Sequence, residues 1–117
     1  MKTMTIGVAS RAEVNARVKA AASGQKQDAR ISFVSLELMH RVLTPNRWAI
    51  LRSMMGAGAI GTRELARRLG RDVKSVHVDV HALLNAGVID RADDGSIVFP
   101  FDAIRVDFVV TPAREAA

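Results

Sequence analysis

The chain has no cysteine and no tyrosine, and holds only one tryptophan, four phenylalanines and three prolines in 117 residues. Without cysteine there is no disulfide, no thiolate metal site and no cysteine nucleophile, and the composition suits a reducing cytoplasm. Long apolar runs are missing as well. No stretch approaches the ~20 apolar residues of a membrane span. The amino-terminal run MKTMTIGVASRAE is broken by Arg11 and Glu13 before a signal-peptide core can form. The expectation is a soluble, unexported, cytoplasmic protein with no membrane association. Scarcity of aromatics does not deny it a core. Apolar residues make up 49% of the chain, mainly Val, Ala, Leu and Ile, and the length suffices for one compact domain.

Acidic residues are also few, 12 against 17 basic ones, and the +5 balance is unevenly spread. Residues 1–43 carry seven Lys/Arg and three acids, and residues 44–74 carry seven more against two. From 75 to 110 only Arg91 and Arg105 oppose six aspartates: Asp79, Asp90, Asp93, Asp94, Asp102 and Asp107. The basic part suits phosphate, and the acidic part would repel it. That second region either points away from nucleic acid or serves a basic partner.

What is present is most telling between residues 62 and 87, TRELARRLGRDVKSVHVDVHALLNAG. Thr62 is placed to cap a helix whose Leu65, Ala66 and Leu69 share one face, with Arg63 and Arg67 on the other. Gly70 stops it, because glycine takes the left-handed conformation cheaply. Asp72 caps a second helix, in which Val73, Val76, Val80, Leu83 and Leu84 form a buried stripe, and Gly87 ends it. Two short helices joined by a tight turn are the geometry that sets a second helix into a DNA major groove. With Val80 inward, rotation by about 100° per residue puts Lys74, Ser75 and Val78 outward, in the half that reaches base edges. Arg71 lies in the turn, and His77 and His81 fall on the flank, suited to phosphate. Read without function, all are solvated positions on an amphipathic helix.

Around this motif the punctuation predicts further elements. Met4 to Ala9 alternates as a short strand, and Ser10–Glu13 forms a capping box for a helix to about Ala22. Residues 23–30 read as a polar linker. Ile31–Val34 is a short apolar run before a helix over Leu36–Leu43. Thr44 and Pro45 open the next helix, which carries Trp48, Ile50, Leu51, Met54 and Met55. Beyond Gly87, Val88–Arg91 and Ser96–Phe99 flank the turn Asp93-Asp94-Gly95 as a hairpin, and Ile104–Val110 alternates as a further strand. Helix-turn-helix followed by a hairpin is the order of a winged helix, in which Ala59-Ile60-Gly61 would pair with the wing.

Two other patterns lead elsewhere. Gly56–Gly61 matches G-x-G-x-x-G, but it follows a helix rather than a strand, so its amides are not set to cradle a pyrophosphate. His77 and His81 have the i, i+4 spacing of zinc ligands, with no third ligand on their face. Ser75, His77 and Asp79 include the residue types of a catalytic triad, yet residues two apart on a helix do not face each other. The expectation is therefore no enzyme, no cofactor and no metal.

The runs RISFVSLELMHRVLTPNRWAILRSM, ELARRLGRDVKSVHVDVHALLNAGVI and IVFPFDAIRVDF resemble a family of small prokaryotic winged-helix transcriptional regulators, among them antitoxins of type II toxin–antitoxin pairs. The likeness covers about residues 30–110, with LTPNRW and LGRDVKSVHVDV as its most specific segments. It implies that Arg71, Lys74, Ser75 and His77 face DNA and that the chain represses its own operon and binds a toxin. Asp93 and Asp94 depart from the basic wing of many winged helices.

Together these readings predict an α+β, mainly helical winged helix-turn-helix protein. Residues 1–30 would be a strand-helix appendage for dimer or partner contacts, 31–112 the DNA-binding domain and 113–117 a tail. The expected DNA-binding residues are Thr62, Arg63, Arg71, Lys74, Ser75, His77 and Val78, and the expected partners are operator DNA, a second copy and a cognate toxin. The alternatives are a winged helix that binds only protein and a free-standing, ligand-responsive regulator.

Overall fold

In the computed structural model, residues 2–9, 16, 19, 29–110 and 112 are described. They form an α+β fold in the order β1 (Thr3–Val8), β2 (Arg30–Phe33), α1 (Leu36–Val42), α2 (Pro45–Met54), α3 (Thr62–Leu69), α4 (Val73–Asn85), β3 (Asp90–Arg91), β4 (Ile97–Val98) and β5 (Ala103–Asp107). The capping box at Ser10–Glu13, most of its helix, most of the linker and the 113–117 tail lie outside the described residues. Ala16 and Lys19, from that helix, are helical and exposed.

Local side-chain chemistry explains most helix boundaries. The Ser35 hydroxyl accepts from the Leu38 amide at 3.1 Å to start α1, and Thr44 accepts from the Arg47 amide at 3.3 Å to start α2. Asp72 accepts from the Ser75 amide at 3.1 Å to start α4. Each satisfies an amide with no partner inside the helix. At α3 the expectation is corrected: the cap is Gly61, in extended conformation and with no side-chain bond, and Thr62 is already helical. The chain is held straight through Ile60, which exchanges two 2.9 Å bonds with Ile97. The first residue free to turn is therefore Gly61. Gly70, with φ +64°, closes α3 as expected.

Helices α2, α3 and α4 pack on one another around Ile50, Leu51, Met54, Leu65, Val76, Val80 and Leu83, all nearly or fully buried. Burying each such side chain contributes about 1.5–3 kcal/mol. Val73 departs from the expected stripe and stays 43% exposed. It shares the stripe's face, but as the first residue of α4 it lies past the end of the packing.

The hairpin has a shorter ladder than the runs around it suggest: Asp90 pairs with Val98 and Arg91 with Ile97. Val88, Ile89 and Phe99 point into the core instead of extending it. The turn closes where Gly95 reaches φ +87° and Asp94 accepts from the Ser96 amide at 3.0 Å. The bridge Ile60↔Ile97 joins the hairpin to the segment before α3.

A second sheet has the order β2-β1-β5, with every pairing parallel. β1 is the central strand, so the strand near the amino terminus and the strand after the hairpin share one ladder. Met4, Ile6 and Phe33 carry this sheet into the same core as the helices. Gly7, the penultimate residue of β1, is buried, and a Cβ there would lie 2.6 Å from the Asp107 carbonyl oxygen. Among the described residues no helix is long and apolar enough to cross a membrane.

Candidate nucleic-acid interface

The buried stripe of α4 determines what the helix turns outward. With Val76, Val80 and Leu83 inside, Lys74, Ser75, His77 and Val78 are all exposed, Val78 at 62%. All four sit in the amino-terminal half of α4. The His77 and His81 ring centroids lie 4.1 Å apart, one turn from each other, with the rings tilted by 53°. On α3, Arg63 is exposed and Thr62 half-buried. Among the described residues, no side chain of Thr62, Arg63, Arg71, Lys74, Ser75, His77 or Val78 hydrogen-bonds to the side chain of another.

Arg71 behaves differently. Its Nη2 donates to Asp79 Oδ2 at 2.9 Å, and the side chain keeps only 23% of its exposure. Arg47 Nε donates to the other oxygen of Asp79, also at 2.9 Å. Arg47 Nη1 further donates to the Val42 carbonyl at 3.0 Å and the Arg41 carbonyl at 3.3 Å. One carboxylate thus ties together the end of α1, the start of α2, the α3–α4 turn and the middle of α4. Burial pushes the Asp79 carboxyl up, but hydrogen bonds and charge from Arg47 and Arg71 outweigh it and hold it below its ordinary range.

Asp79 and Arg47 are the residues that sequence reasoning missed. The signal was present: Asp79 falls three residues after Val76 and four before Leu83, on the buried face. A carboxylate there needs cationic partners. Counting it with the acidic surface of residues 75–110 overlooked that position.

Two further basic residues are engaged on α3. Arg67 and Arg68 both bond Glu64, Arg68 at 2.9 Å. These bonds, led by that from Arg67, bring the Glu64 carboxyl down to about 2. Arg91 donates to the Gly95 carbonyl at 2.9 Å, stiffening the hairpin rather than extending from it. Asp90, Asp93 and Asp94 are exposed, so the hairpin presents a negative surface. The glycine-rich stretch 56–61 joins α2 to α3, with φ +72° at Gly56 and +68° at Gly58. It is a loop between helices.

The class defined by these features is an α+β domain: four described helices, three of them (α2, α3 and α4) packed together, a hairpin pinned to the segment ahead of α3, and a parallel sheet that joins the two ends of the fold. A family model described as HVO_A0114 matches residues 42–106, more than half of the chain, and the protein belongs to that family. No curated protein and no solved structure matches it.

Proposed function

We propose that this protein is a sequence-specific, winged helix-turn-helix DNA-binding repressor that acts as a homodimer, with α4 as its reading helix. One observation carries the reading. A capped helix held by three buried contacts turns Lys74, Ser75 and Val78 outward along its first half. α3 packs across it, and a hairpin follows in the place of a wing. In this reading Lys74 contacts phosphate or guanine, Ser75 and Val78 tune the choice of base, and His77, Thr62 and Arg63 supply further backbone contacts. Arg71 has a different role from the one its position in the turn suggests. Held by Asp79, it sets the angle between α3 and α4.

The acidic hairpin favours protein over phosphate at that end of the molecule, because Asp90, Asp93 and Asp94 would repel DNA. With the resemblance to antitoxins, it supports a basic toxin as the second partner and autorepression of a shared operon as the biological role.

Gel-shift titration of upstream DNA tests the main reading. Lys74→Glu reverses one exposed charge without touching the core, so binding should weaken ~10-fold or more while the melting curve stays unchanged. Unaltered affinity at moderate salt contradicts the assignment of α4. Binding of any kind should fall steeply with added salt, whereas a winged helix that binds only protein gives no such dependence on DNA.

A further inference from the structure

We propose that β5 is the dimerisation edge, pairing antiparallel with β5 of a second copy of this chain about a twofold axis at Val106. The inference rests on the homodimer reading above and names its surface.

The strand order leaves two candidate edges, because β1 is bonded on both sides. β2 is unsuitable, as its residues are all buried or half-buried. β5 is different: Arg105, Val106 and Asp107 are exposed, Val106 at 46%. Among the described residues nothing lies along its outer side in the sheet. An exposed edge with apolar side chains and no proline or bulge is a template for another strand.

Hydrogen-bond directions select the residues available. The Ala103 amide donates to the Lys2 carbonyl at 3.3 Å, and Ala103 is in register with Thr3. Alternation then turns Ala103, Arg105 and Asp107 toward β1, and Ile104 and Val106 offer their amides and carbonyls to the open side.

Charge selects the register. An axis at Arg105 sets Arg105 against its own copy, and an axis at Asp107 sets Asp107 against its own copy. An axis at Val106 puts Arg105 opposite Asp107 of the second copy, and the same pair recurs by symmetry. Like charges directly opposite destabilise, and opposite charges stabilise. The Val106 axis also sets Ile104 opposite Phe108, both half-buried against their own core. It continues the apolar face across the axis. The result is a closed, self-complementary interface and a six-stranded sheet, β2-β1-β5-β5-β1-β2.

The absence of cysteine makes the test direct. Across a hydrogen-bonded antiparallel pair the Cα atoms are about 5.5 Å apart, within the reach of a disulfide. Val106→Cys should oxidise to a covalent dimer at micromolar protein. Val109→Cys should not, because its copy lies about 20 Å away along the strands in this register. In sedimentation, Arg105→Asp and Asp107→Arg should each loosen the dimer ~10-fold or more, and the double swap should restore it. Far-UV circular dichroism confirms folding of each variant. Equal cross-linking at both positions, or a double swap no tighter than the single variants, overturns the register. A native chain that sediments as a monomer overturns the dimer itself. Gel shift of Lys74→Glu is read separately, so failure of DNA recognition and failure of this edge are distinguishable.

Discussion

Asp79 is where a single residue has the most influence on the arrangement of the helices. Its two oxygens bond guanidinium groups from α2 and from the α3–α4 turn, each at 2.9 Å. Asp79→Asn keeps the shape and removes the charge, leaving two arginines facing a neutral amide. The expected loss is about 2–3 kcal/mol in urea denaturation, somewhat below that for a fully buried pair, because the three side chains retain 13–23% exposure. The pH dependence has a definite sign. The folded carboxyl titrates below its ordinary range, so its contribution is complete above about pH 4, the unfolded value. It is lost as pH falls through the lower folded value. The variant should therefore lose less stability than the native chain between about pH 4 and the acid transition. Parallel acid limbs would show that the clamp contributes nothing in solution.

Gly70 governs the geometry of α3 against α4. Its φ of +64° is left-handed, and among the described residues, its chain neighbours aside, no heavy atom lies within 4 Å of where a Cβ would stand. The cost of Gly70→Ala is therefore backbone strain alone, about 1–2 kcal/mol. Because the strain falls at the turn, the DNA affinity proposed for α4 should drop with stability while Lys74 and Ser75 remain present. Calorimetry and gel shift on the same variant check this. A melting temperature equal to that of the native chain would mean the turn accepts another conformation. Gly7 differs in kind. There an added methyl meets the Asp107 carbonyl at 2.6 Å, a backbone atom that cannot rotate away. Gly7→Ala should push β5 from β1 at a cost of about 1–3 kcal/mol, and faster hydrogen exchange at the β5 amides would report it.

At the scale of the whole molecule, the parallel sheet connects segments about a hundred residues apart in sequence. Lys2 illustrates the closure: its amide donates to Asp102 at 3.0 Å, and its carbonyl accepts from the Asp102 amide at 2.8 Å. Removing residues 1–29 takes out the central strand, so β2 and β5 lose the strand that pairs with both. The truncated chain should lose the cooperative melting of the sheet and expose Ile104 and Phe108. Binding of an environment-sensitive dye with a lowered transition would follow. A truncated protein with the full chain's melting temperature would mean that the helices carry the stability alone.

The elements that local chemistry specifies were legible in the sequence. Thr44 and Asp72 cap helices through bonds to residues only three positions on, so the signal and its effect lie side by side. Asp93-Asp94-Gly95 marks the hairpin in the same way, and the exposed face of α4 follows from the stripe Val76, Val80 and Leu83. The partners of β1 were not legible. Alternation in Met4–Ala9 and Ile104–Val110 announces strands, but the neighbour of each depends on packing across the whole chain. Nor could the sequence say which way Arg71 turns. In the turn it was equally free to reach toward phosphate, and only Asp79 of α4, whose other oxygen is held by Arg47 of α2, draws it inward. Tertiary structure decided these points because a buried carboxylate requires its counter-charge, and a strand its partner, wherever in the sequence they lie.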